Sequence, residues 1–70
     1  MYQKIKTLNG GMLWINLYMF SSMNIVRGEK SADFIHVFGN YKIEVPISLE
    51  TADEIEIEIN YKRRLGLSKS

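Results

Sequence analysis

The sequence predicts a mainly β fold: a small curled antiparallel sheet or partly open barrel of five or six strands, built from two hairpins. Three observations predict it. Apolar and polar residues alternate with period two along most of the 70 residues, β-branched and aromatic side chains fill those runs, and turn signals fall between them. No repeat and no Pro- or Gly-rich linker interrupts the chain, so residues 1–64 read as one domain and Leu65 to Ser70 as a loose end.

The first two strands are expected at Tyr2 to Leu8 and Met12 to Phe20, joined through Asn9-Gly10-Gly11. That turn supplies either a two- or a three-residue loop, and one residue of slippage turns every side chain of one strand over relative to the other. A two-residue loop mixes Lys4 and Lys6 with Leu13, Ile15 and Leu17. A three-residue loop ending in a left-handed glycine instead groups Ile5, Leu13, Ile15, Leu17 and Met19 as core. It gathers Tyr2, Lys4, Lys6, Trp14, Asn16, Tyr18 and Phe20 on the opposite face. We favour the second because it avoids burying ammonium groups.

Met23 to Val26 reads as a sixth strand or as the bent end of the second. Asp33 to Phe38 and Tyr41 to Ile47 form the second hairpin, because glycine in Gly39-Asn40 accepts the positive φ of the first position in a two-residue turn. Phe38 then faces Tyr41, and Phe34, His36, Phe38, Tyr41, Ile43, Val45 and Ile47 share the core face. Pro46 has no N–H and marks an unpaired stretch or an edge.

The run Glu54 to Tyr61 alternates as a half-buried strand, with a helix as the alternative. Thr51-Ala52-Asp53-Glu54 resembles a capping box, and Lys62, Arg63 and Arg64 suit a helix C-terminus. Against the helix, Ile55 and Ile57 would point to nearly opposite sides, and Glu54 would stand four residues from Glu58.

Composition narrows the function. A chain of this length buries only about 60 to 65% of its unfolded surface, leaving no room for two lobes around a substrate cleft. With no cysteine and a single histidine, disulfide scaffolds, thiol catalysis and cysteine- or histidine-rich metal sites are excluded. Neither a cofactor nor a resident metal is implied. Lys4 and Lys6 before the apolar run Gly10 to Phe20 imitate a signal peptide, but Asn9 and Asn16 interrupt the pattern. Eleven apolar-rich residues are too few for a bilayer, which needs about 20. A cytoplasmic protein without a membrane partner is expected.

Formal charge is +1 overall yet uneven: residues 1–28 carry three bases and no acid, residues 29–58 hold all 8 acids against two lysines, and residues 59–70 hold four bases. No phosphate loop, nucleophile elbow or metalloprotease motif is present. Glu54, Glu56 and Glu58 would line one strand face as solvated decoration, and His36, between Phe34 and Phe38, reads as a core histidine with one hydrogen-bond partner. No catalytic residue is expected.

The second strand is apolar on both faces, which is characteristic of a strand covered from both sides. Five or six strands can close one core but hardly a second layer. A partner is the economical cover: a second copy in a homodimer, or a larger protein that this small regulator-sized chain binds or inhibits. Its contacts would be Trp14, Asn16, Tyr18 and Phe20. The alternative is single-stranded nucleic acid, with bases stacking on Trp14 and Tyr18 and phosphates contacting Lys4, Lys6, Lys62, Arg63 and Arg64.

Overall fold

A computed structural model describes residues 2–65 of the chain. The strands are β1 (Tyr2–Lys6), β2 (Met12–Asn16), β3 (Met23–Arg27), β4 (Ser31–Phe38) and β5 (Tyr41–Ser48). A 3-10 segment, Leu17–Ser22, links β2 to β3, and helix α1 (Leu49–Arg64) follows β5. The loose end expected at 65–70 falls outside the described residues except for Leu65.

Two antiparallel sheets form, β1-β2 and β3-β4-β5, and no barrel closes. In the first, Lys4 pairs with Trp14 and Ile5 with Leu13. Thr7 N–H donates to the Gly11 carbonyl (2.9 Å) and Gly10 N–H to the Thr7 carbonyl (3.3 Å), leaving Leu8, Asn9 and Gly10 as a three-residue loop. Gly10 takes φ +89°, the left-handed conformation that such a loop requires of its last residue. This register buries Ile5 and Ile15 and leaves Lys4 and Lys6 in solvent.

In the second sheet β4 is central, with Phe38 opposite Tyr41 and Phe34 opposite Val45. Gly39 has φ +59° and Asn40 does not have a positive φ, the pattern of a type II′ turn. Met23–Arg27 is a strand in its own right, pairing Ile25 with Phe34. Pro46 stands on the edge strand β5, where its carbonyl accepts from Leu8 N–H at 2.8 Å and ties the first hairpin's loop to the second sheet. Phe34, His36 and Ile47 of the expected core face are buried; Tyr41, beside the turn, is exposed.

The first strand ends at Lys6 and not Leu8, and two further strand assignments are overturned. The strand Met12 to Phe20 stops at Asn16, whose side-chain Oδ1 accepts from Tyr18 N–H at 3.1 Å and starts the 3-10 segment. Residues three apart share a face of a 3-10 helix, so Leu17 and Phe20 both enter the core and Met19, expected there, turns outward.

The strand expected at Glu54 to Tyr61 is part of α1. Its cap is Ser48 and not Thr51: Ser48 Oγ accepts from Thr51 N–H at 3.1 Å, satisfying a free first-turn donor. Ala52, Ile55, Ile59 and Lys62 recur at three- and four-residue spacing and bury one stripe. Ile57 is left 65% exposed. Arg27 on β3 bridges Asp53 and Glu56 from across the sheet, fastening the helix to the β3 edge, and these carboxylates hold its guanidinium even more firmly protonated than usual. The three glutamates expected along one strand face are thus spread around a helix.

Candidate interaction surface

Strand alternation and the three-residue loop together build the outward face of the first hairpin. Tyr2, Lys4 and Lys6 stand directly opposite Asn16, Trp14 and Met12. Trp14 is 63% exposed, and Tyr2 and Met12 are more than half exposed. Lys4 Nζ lies 5.6 Å from the centre of the Trp14 ring, near enough for a cation–π contact. Lys6 is exposed on the same face, and Asn16 is half-buried because its side chain serves as a cap.

The 3-10 segment extends this surface but changes its members. Tyr18 remains 54% exposed, while Phe20, expected beside it, is 1% exposed and packs in the core. The sequence signal for this switch was Asn16 itself, a capping residue counted only as a member of a strand face.

The helix C-terminus meets the 3-10 segment from the other side. Lys62, expected as an exposed base, is only 3% exposed, with Nζ 5.2 Å from the Tyr18 ring, and the Arg63 guanidinium lies 5.6 Å from the Phe20 ring. Arg64 is exposed and borders a shallow recess with Ile57 and Tyr61. The bases split into two groups: Lys4 and Lys6 on the hairpin, Lys62 and Arg63 against the aromatic rings of the linking segment.

Below the hairpin face, Phe34, His36, Phe38 and Tyr41 form a ladder with successive ring centres 6.4, 4.6 and 5.8 Å apart. Burial pushes the His36 pKa below its usual value, because a charged imidazole would lose its hydration. His36 is a core histidine, but its Nε2 has no hydrogen-bond partner among the described residues.

No helix of the described residues is long and apolar enough to cross a membrane. No known protein family, curated protein or solved structure matches this chain.

Proposed function

We propose that the chain is a non-enzymatic binding module that meets a protein partner, a second copy of itself or a larger protein, through the outer face of the first hairpin. The exposure of Tyr2, Met12 and Trp14 on one face of a short two-stranded sheet, with Tyr18 beyond, carries this reading. Each such side chain contributes roughly 1.5 to 3 kcal/mol when moved from water into an interface, before association costs. Tryptophan and tyrosine are also the side chains most often found as interface anchors. Lys4 and Lys6 beside Trp14 favour an acidic rim on the partner.

Solution mass is the first test. Sedimentation should give more than the 8.1 kDa of one chain, and Trp14→Glu should return the mass to that value without loss of fold. A monomer at every concentration removes the self-association arm and leaves a foreign protein as the partner.

One observation favours a second reading, single-stranded nucleic acid: Lys4 sits over the Trp14 ring, pairing a stacking platform with a phosphate contact. An oligonucleotide would then quench the fluorescence of the single tryptophan, and the quenching would weaken as salt rises. Unchanged fluorescence at low salt rejects this alternative.

A further inference from the structure

Between the two hairpins lies a recess of about 180 Å³, open on one side. Tyr2 and Trp14 border it from the first hairpin, Met19 from the 3-10 segment, and His36, Phe38 and Ile43 from the second. No formally charged lysine, arginine, aspartate or glutamate lines it. A space of this order suits a single ring, since an engineered apolar cavity of about 150 Å³ in another protein holds benzene.

Its polar feature is unusual. His36 is 6% exposed, and its Nε2 has less than 1 Å² of accessible surface and no hydrogen-bond partner. Buried polar atoms are rarely left in that state, and an orphan beside an open recess has an evident source of partners. Of the wall's other polar side chains, Asn16 spends its Oδ1 on Tyr18 N–H, and neither its amide N–H2, the Tyr2 hydroxyl nor the Trp14 indole N–H is hydrogen-bonded to Nε2. A hydroxyl both donates and accepts, so it satisfies Nε2 in either imidazole tautomer, whereas an indole N–H suits only one.

We propose that this recess is a binding site for a small neutral phenol: the ring seats against Trp14 and Phe38, and the hydroxyl hydrogen-bonds to His36 Nε2. Contact with Nε2 requires a small shift of the wall. Met19, unbranched and 38% exposed, is suited to yield. The phenol is either a free small molecule or the side chain of a tyrosine. The recess shares Tyr2 and Trp14 with the hairpin face, so the titration is made at a concentration where sedimentation gives a single chain, and the two readings then fail separately.

The test titrates the intact protein with p-cresol, toluene and N-acetyl-tyrosinamide, following Trp14 fluorescence and the Nε2 nitrogen shift of the only histidine. Affinity for p-cresol on the order of millimolar is expected. The hydroxyl should make p-cresol about two- to tenfold tighter than toluene, the range one net hydrogen bond supplies. His36→Phe should keep toluene binding and abolish the preference. Binding of p-cresol alone marks a free small molecule as ligand; binding of the tyrosine amide as well marks a tyrosine side chain. A His36 resonance unmoved at saturating p-cresol, or equal affinity for p-cresol and toluene in the unaltered protein, overturns the proposal without recourse to the variant.

Discussion

The β1-β2 and β4-β5 hairpins each bury one face, Ile5 and Ile15 in the first, Phe34, His36 and Ile47 in the second. Their outward faces differ. The first presents the aromatic and apolar Tyr2, Met12 and Trp14 to solvent, while the second presents Asp33, Lys42 and Glu44 with one aliphatic residue, Val37, and its Lys42 and Glu44 stand 3.5 Å apart as an ion pair. Both hairpins meet the same demand from the core, so inward residues follow from folding alone. The outward aromatic set has no such explanation, and that is why the first hairpin, and not the second, is the surface to test.

If this division holds, side chains of similar size on the two sides should have very different effects on stability. Phe34→Ala and Phe20→Ala remove fully buried rings and should each cost about 3 to 5 kcal/mol, enough to unfold much of a domain this small. Trp14→Ala and Tyr18→Ala should cost less than about 1 kcal/mol, because their rings already stand in water. Urea unfolding of the four variants decides the matter. A loss at Trp14 as large as that at Phe34 would mean that the aromatic face is part of the core, and would remove the case for a partner.

The contrast between hairpins was legible in the sequence because alternation and turn chemistry act locally. Gly39-Asn40 set the register of the second hairpin outright. The first needed an added physical step, the cost of burying Lys4 and Lys6, to select the three-residue loop that the structure contains. Phe20 lies in the core although strand alternation places it outward, because the period of two ends at Asn16, where the backbone period becomes three. The run Glu54 to Ile59 alternates as cleanly as any strand, yet Ser48 and the stripe Ala52, Ile55, Ile59 and Lys62 make it a helix. The recess beside His36 was illegible, since it exists only where residues from both hairpins and the linking segment come together.

A smaller and graded effect is expected where the hairpins meet, at His36. Burial lowers its pKa in the folded chain, while unfolding restores a value near 6.5. As pH falls through about 6.5 the unfolded chain therefore takes up a proton that the folded chain resists. Stability is fully present above that pH and declines below it until the folded pKa is passed, by no more than about 1.4 kcal/mol per pH unit. Thermal unfolding between pH 7.5 and 5 should show this decline, and His36→Phe should remove His36's share of it. If His36→Phe leaves the slope unchanged, the histidine is not the group that joins the two hairpins in a pH-dependent way.

The turns give the smallest test of the comparison, and a directional one. Gly10 and Gly39 both have positive φ, at +89° and +59°, and a Cβ on either would meet nothing within 4 Å. Any penalty is therefore conformational and not steric crowding, about 1 kcal/mol for alanine at each position. Asparagine should separate them. Gly10 ends a three-residue loop in the left-handed helical region, which asparagine tolerates, so Gly10→Asn should recover most of what Gly10→Ala loses. Gly39 occupies the first position of a type II′ turn, where ψ near −120° accompanies the positive φ and lies outside that region. Gly39→Asn should therefore recover little. Equal recovery at both sites would place the two turns in the same backbone class and remove the local reason for their different loop lengths, leaving the core faces alone to hold each register.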